Sequence, residues 1–148
     1  MPGSPDPGSR IPDPGSRYDS LRYDHRNMIL AAVDDLLFSS KIRTTAKQAG
    51  VELTFARTPA DILEQSRTLR PSLVIFDLNS AKVSPIDTIS EMKRDATLSG
   101  IRTIGFVSHV HTGLIDAARA AGVDEVMARS AFAARLAEIL LAASPSKP

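Results

Sequence analysis

Short apolar runs alternate with amphipathic helical patterns along most of this chain. The apolar runs occupy residues 28–33, 51–56, 73–76, 103–107 and 125–128. Strands that are separated by helices pair in parallel, because the return to the same edge of the sheet needs a long crossover connection. The alternation therefore predicts an α/β protein, with five parallel strands in a doubly wound sheet between two layers of helices.

Helix start and stop signals fill the segments between these runs. Gly50 and Gly122 each follow a helical pattern, at the position where glycine commonly ends a helix. Thr58 and Ser84 each precede a proline, and a hydroxyl residue before a proline is typical of a helix N-terminus. Ser130 is predicted to cap the last helix. These signals predict five helices in total.

The two ends of the chain differ in composition from the middle. A seven-residue repeat rich in Pro, Gly and Ser fills residues 5–18. Such a segment buries too little apolar surface to order itself, so residues 1–26 are predicted to be a disordered tail. Residues 144–148 are predicted to be a disordered end. One domain remains, over residues 27–143, and its length suits a single hydrophobic core.

Charge and composition exclude several classes of function. Lys and Arg total 18 and Asp and Glu total 17, so the formal net charge of +1 provides no general attraction to nucleic acid or to a membrane. The chain has no cysteine, which excludes disulfides and thiolate chemistry. It also lacks an apolar stretch of about 20 residues and a secretory signal. We expect a soluble, cytoplasmic protein.

Polar residues follow four of the predicted strands. Asp34 and Asp35 come after the first strand, Asp77 after the third, Ser108 after the fourth and Arg129 after the fifth. The carboxyl ends of parallel strands meet at one edge of the sheet, where ligands of such folds bind. Carboxylates that converge there repel one another unless a cation joins them, and Mg²⁺ is the hard cation that oxygen ligands favour. Taken alone, Asp34 and Asp35 are better explained as the N-cap and the first-turn acid of the following helix.

The segment 70–77, which reads RPSLVIFD, and the residues at the other strand ends resemble the CheY-like receiver domains of response regulators. The resemblance spans about residues 28–143. It implies a flavodoxin-like fold and a role in two-component signalling rather than an enzyme activity. Asp77 would accept a phosphoryl group from a sensor histidine kinase or a phosphotransfer protein, and a downstream protein partner would receive the signal.

The same resemblance implies a metal site. Its ligands would be the side chains of Asp34, Asp35 and Asp77 and the backbone carbonyl of Asn79, and its ion would be Mg²⁺. The metal and the phosphoryl group would then share one crevice at the strand ends.

The remaining site positions combine matches with departures. Ser108 and Arg129 stand where the family binds the phosphoryl group, but Arg129 replaces a lysine. His109 stands where the family has a small residue, Val126 where it has an aromatic residue, and Ser130 where it has a proline. The chain is therefore predicted to be an atypical member of the family.

Two further hypotheses remain open. In one, the chain is a pseudo-receiver that acts without phosphorylation as an interaction or dimerisation module, with Arg129 neutralising the acidic residues. In the other, a flavodoxin-like domain binds a small cofactor, although the chain has no glycine-rich phosphate loop. His109 and His111 lack an evident third ligand for a metal of their own.

Overall fold

The structure, a computed structural model, describes residues 28–108 and 112–143. The predicted tail and C-terminal end, and the loop residues His109 and His111, lie outside the described residues. Five strands are present: β1 (Met28–Ala32), β2 (Glu52–Phe55), β3 (Leu73–Asp77), β4 (Arg102–Val107) and β5 (Glu125–Ala128). All four strand pairings are parallel, and the order across the sheet is β2-β1-β3-β4-β5.

The helices of the described chain lie between and after these strands. They are α1 (Leu36–Ala49), α2 (Pro59–Leu69), α3 (Pro85–Arg94), α4 (Thr112–Ala121), α5 (Arg129–Ala134) and α6 (Leu136–Ala143). The predicted fold class, a flavodoxin-like sheet of five parallel strands, is confirmed. Within the described ranges, none of the helices has the length and apolar character needed to span a lipid bilayer.

The strands distribute their side chains to two hydrophobic layers. Leu30, Val74 and Phe76 pack with residues of α2, α3 and α4 on one face. Ile29 and Ile75 point to the other face and pack with residues of α1, α5 and α6. Successive residues of a strand face opposite sides, so a strand covered on both faces must be apolar throughout. All of β1 is buried for this reason.

The prediction for the last helix was wrong in two respects. This segment forms two helices, because the backbone at Arg135 (φ −106°, ψ 13°) ends α5 before α6 begins. Ser130 does not cap it, since α5 starts directly after β5 and Ala128 occupies the N-cap position. The chain passes from strand to helix without a loop, and this brings Arg129 into the first turn.

The prediction for Ser84 was correct for the position of the helix but not for the capping bond. Helix α3 begins at Pro85, yet Ser84 adopts a left-handed conformation (φ 43°) and its side chain caps no helix amide. Its hydroxyl instead donates to the carbonyl of Ala81 at 3.4 Å. Thr58, by contrast, accepts a hydrogen bond from the backbone N–H of Asp61, as predicted for an N-cap.

Three aromatic rings support the strand ends from the α1 and α5 side. Phe106 of β4 stacks on Phe132 of α5 with 4.9 Å between ring centroids, and the edge of Phe38 of α1 meets Phe106 at 5.1 Å. Phe106 and Phe132 are fully buried. This cluster fixes the start of α1 and the start of α5 relative to each other, which positions the polar groups above it.

Candidate functional site

Asp77 is the last residue of β3, the strand at the centre of the sheet. It is only 7% exposed, and its Oδ1 accepts a hydrogen bond from the backbone N–H of Asn79 at 3.0 Å. Burial raises the pKa of the Asp77 carboxyl above its ordinary value, although the Asn79 N–H and Arg129 oppose this. The charges of Asp35 and Asp34 raise it further, so the three carboxylates influence one another.

Asp35 makes two strong contacts, one with each carboxylate oxygen. Asp35 is the N-cap of α1, and its Oδ1 accepts a hydrogen bond from the backbone N–H of Phe38 at 3.0 Å. Its Oδ2 accepts a hydrogen bond from Nη2 of Arg129, also at 3.0 Å. These two hydrogen bonds hold the pKa of Asp35 below its ordinary value, and the bond from the Phe38 N–H has the largest effect. The capping role proposed for this residue and its place in the site therefore coexist.

Arg129 joins three parts of the site. Its guanidinium pairs with Asp35, its Nη1 lies 3.5 Å from Oγ of Ser108, and its central carbon lies 4.4 Å from the ring centroid of Phe38. A planar guanidinium can stack on an aromatic ring and donate hydrogen bonds along its edge at the same time. The three contacts fix the position of the cation beside the strand ends.

Asp34 lies on the outer side of the site. It forms ion pairs with Nε of Arg57 at 3.9 Å and with Nζ of Lys82 at 4.0 Å. Arg57 follows β2, and Lys82 lies in the loop after β3. These pairs are long and solvent-accessible, so each contributes little to stability, but together they place positive charge around Asp34.

Asn79 connects the loops that follow β3 and β4. Its side-chain Oδ1 accepts the backbone N–H of Ser108 at 2.6 Å, while its own N–H binds Asp77. The sequence assigned Asn79 a role only through its backbone carbonyl, so this side-chain contact was missed. The hydrogen bonds make the turn after Asp77 and the end of β4 one connected unit.

The predicted site residues therefore lie at one edge of the sheet, in two groups. Asp35, Ser108 and Arg129 are connected directly, and Asp77 lies within electrostatic reach of Arg129 and Asp35. Val126 is half-buried and packs against the core rather than in the site. His109 lies outside the described residues. The contributions of Phe38, Arg57 and Lys82 were not predicted, because a ring, an arginine and a lysine at scattered positions carry no motif.

An open cleft adjoins this network. Its volume is about 480 Å³, and its lining comprises Phe38, Val107, Ser108, Ala128, Arg129, Ser130 and Ala133. Most of the walls are apolar, while the Ser108 hydroxyl and the guanidinium provide hydrogen-bond donors.

The oxygen donors around Asp77 are of the type that divalent cations prefer. Within residues 28–108 and 112–143, however, no group of three or more acidic or histidine side chains is placed to hold a metal ion together. Asp35 faces a guanidinium, and Asp34 faces Arg57 and Lys82. A Mg²⁺ ion at Asp34 or Asp35 would therefore have to compete with these cationic side chains.

No protein-family model matches the sequence, and no curated protein matches it. Solved structures do match. A response regulator from Hahella chejuensis superposes with a TM-score of 0.70 at 18% identity, covering 78% of this chain and 93% of its own. The phosphorylated cyanobacterial phytochrome response regulator RcpA gives a TM-score of 0.65 at 20% identity, over 76% and 87% of the two chains.

A third match is the Mn²⁺-bound form of the response regulator Rcp1, with a TM-score of 0.63 at 19% identity, over 78% of this chain and 89% of that one. At these identities the comparisons establish the fold. The chain has the fold of the CheY-like receiver domains, as the sequence predicted. Its strand-end carboxylate, hydroxyl and cation lie at the edge of the sheet where α/β folds of this kind bind ligands.

Proposed function

We propose that this chain is an atypical receiver module of a two-component phosphorelay, which accepts a phosphoryl group on Asp77 and signals through partner binding. The position of Asp77 carries the proposal. It ends the central strand, and Asn79 connects it by hydrogen bonds to Ser108, which lines the cleft together with Arg129. The fold, which it shares with response regulators, supports the same function. Its partners would be a sensor histidine kinase or phosphotransfer protein and a downstream protein.

The chemistry follows from the groups present. A carboxylate oxygen of Asp77 attacks the phosphorus of a phosphohistidine, the P–N bond breaks, and the imidazole nitrogen leaves with its electron pair and takes up a proton. Burial makes Asp77 more basic than an exposed aspartate, which favours its attack. Arg129 and the Ser108 hydroxyl would donate hydrogen bonds to the phosphoryl oxygens as charge is transferred.

Mg²⁺, which the resemblance implies for Asp34, Asp35, Asp77 and the Asn79 carbonyl, stays a prediction. Rcp1 has been solved with Mn²⁺, so a structural neighbour binds a divalent ion. In the present arrangement Asp34 and Asp35 pair with cationic side chains instead. The transfer step above uses only the protein's own cation and hydroxyl.

A second candidate function is favoured by one contact. Arg129 already pairs with Asp35 at 3.0 Å, so this carboxylate has a counter-charge without a phosphoryl group or a metal ion. In a pseudo-receiver of this kind the domain binds a protein partner, or a second copy of itself, in one fixed conformation. Phosphorylation would then have no role.

The two candidates predict different results with a small phosphodonor. The protein is incubated with acetyl phosphate, with and without MgCl₂, and its intact mass is measured. A receiver gains the mass of one phosphoryl group, and the adduct is lost in base. Asp77→Asn should abolish the gain, while Asp87→Asn, which changes an exposed aspartate on α3, should preserve it.

A phosphohistidine-bearing phosphotransfer protein is tested as donor in parallel. If neither donor adds mass to the wild-type chain, phosphoacceptor function is refuted and the pseudo-receiver remains. If Asp77→Asn is labelled as strongly as the wild type, the acceptor has been assigned to the wrong residue.

A further inference from the structure

The candidate site contains as many cationic side chains as carboxylates. Each of Asp34 and Asp35 has a cationic partner within 4.0 Å, and Arg129 also acts on Asp77. The three negative residues are Asp34, Asp35 and Asp77, and the three positive residues around them are Arg57, Lys82 and Arg129. The formal charges of this set cancel, so the carboxylates can stay close together without an added ion.

Arg129 is the most firmly held of these cations. It stacks on Phe38, and the backbone N–H of Phe38 binds the other oxygen of the same Asp35 that Arg129 pairs with. Asp35, Phe38 and Arg129 thus form a closed triangle of contacts. A lysine could supply the charge but could not also stack as a plane and reach Ser108 with a second nitrogen. An arginine therefore suits the contacts at position 129 better than a lysine would.

A divalent ion at Asp35 would have to lie close to this guanidinium. Two positive charges at a separation of a few ångströms repel each other strongly at the effective dielectric of a protein surface. The ion would also compete with Arg129 for the same carboxylate oxygen. Metal binding at Asp35 is therefore opposed as long as Arg129 keeps its contacts.

We infer that Arg129 is an internal counter-cation, which takes the place of a hard divalent ion at the strand-end carboxylates and suppresses its binding. The inference rests on the proposed function, because it concerns the same site, and it gives the acidic residues of a receiver-like fold a counter-charge that does not depend on a metal ion. The resting domain is then independent of Mg²⁺.

Direct titration with MnCl₂ tests this inference, followed by calorimetry or by the loss of the free Mn²⁺ resonance signal. The wild-type chain is compared with Arg129→Gln, which removes the charge, and with Phe38→Leu, which removes the stacking but retains the charge. Arg135→Gln is the matched control, because it removes an arginine from an exposed ion pair with Glu138. The titrations contain no phosphodonor, so they are independent of whether Asp77 is phosphorylated.

We expect Arg129→Gln to bind Mn²⁺ at least about tenfold more tightly than the wild type. Phe38→Leu should show a smaller gain, and Arg135→Gln should match the wild type. Adding Asp35→Asn to Arg129→Gln should remove the gain. Equal affinity in the wild type and Arg129→Gln overturns the inference, as does an Arg129→Gln chain that binds no Mn²⁺. Should Arg129→Gln fail to fold by circular dichroism, an unchanged affinity in Phe38→Leu overturns it.

Discussion

Gly105 lies in the middle of β4, and its lack of a side chain is required by Leu78. A Cβ atom at position 105 would lie 2.8 Å from both Cγ and Cδ1 of Leu78 and 2.9 Å from its Cδ2. Carbon atoms in contact are normally about 3.5–4.0 Å apart, so all three atoms would overlap with the new methyl group. Because Cγ itself is involved, rotation of the terminal methyl groups cannot relieve the clash.

The cost of Gly105→Ala follows from this geometry. Leu78 is 3% exposed and belongs to the core cluster between the sheet and α3, so it has little room to move. Overpacking of a core typically costs about 1–3 kcal/mol, and the three-atom overlap places this substitution in the upper half of that range. Leu78 directly follows Asp77, so its displacement should also disturb the turn between Asp77 and Ser80.

Urea unfolding measures the effect, with Gly100→Ala as the control, since a Cβ at Gly100 meets no atom within 4 Å. We expect Gly105→Ala to lower the free energy of unfolding by about 2–3 kcal/mol and Gly100→Ala to change it by less than about 0.5 kcal/mol. In a Leu78→Ala background the cost of Gly105→Ala should nearly vanish. Equal stability of the two glycine variants, or full additivity with Leu78→Ala, would refute the reasoning.

Three further predictions concern buried groups. Phe132→Ala should cost about 3–5 kcal/mol in urea unfolding, because a fully buried ring stacked on Phe106 leaves a cavity. Ser66→Ala should leave stability unchanged or raise it by about 1 kcal/mol, since the Ser66 hydroxyl is buried without a hydrogen-bond partner among the described residues; a clear loss would contradict this. Burial raises the pKa of the Asp77 carboxyl above its ordinary value of 3.8, so the folded chain binds the carboxyl proton more tightly than the unfolded chain does. The free energy of unfolding therefore falls as pH rises from the pKa of the unfolded chain to that of the folded chain. Asp77→Asn should therefore be more stable than the wild type at neutral pH and lose its advantage in acid, and denaturation curves across pH would contradict this if the two proteins kept a constant difference.

The fold could be predicted because its signals are local. An apolar run marks each strand, Thr58 and Ser84 before proline mark two helix starts, and Gly50 and Gly122 mark two helix ends. Each of these signals is set by residues within a few positions. The last helix is the exception. Phe132 and Leu136 continue one apolar stripe, so the pattern gives no sign of the break at Arg135. The preference for serine at an N-cap was overridden at Ser130, because the chain enters α5 directly from β5.

The residues of the site could be predicted from the sequence, but the ion pairs between them could not. Strand ends placed Asp35, Asp77 and Arg129 at one edge of the sheet, since parallel strands share that edge. Which cation meets which carboxylate depends on side-chain direction and on the aromatic cluster beneath. The stacking of Arg129 on Phe38 selects Asp35 as its partner, and no spacing in the sequence encodes that choice.

The ion pair between Asp35 and Arg129 joins residues that are 94 positions apart in the chain, one after the first strand and one after the last. Contacts of such long range form late, because closing a long loop costs entropy that only the completed structure offsets. During synthesis, the first three strands therefore present Asp77 and its acidic neighbours before Arg129 arrives, when only Arg57 and Lys82 are available as counter-charges. A ribosome-bound chain that ends before β5 should carry a partly compensated cluster of negative charge, and the emergence of α5 adds the missing positive charge. Charge neutralisation at this edge thus marks the point at which all five strands have been made.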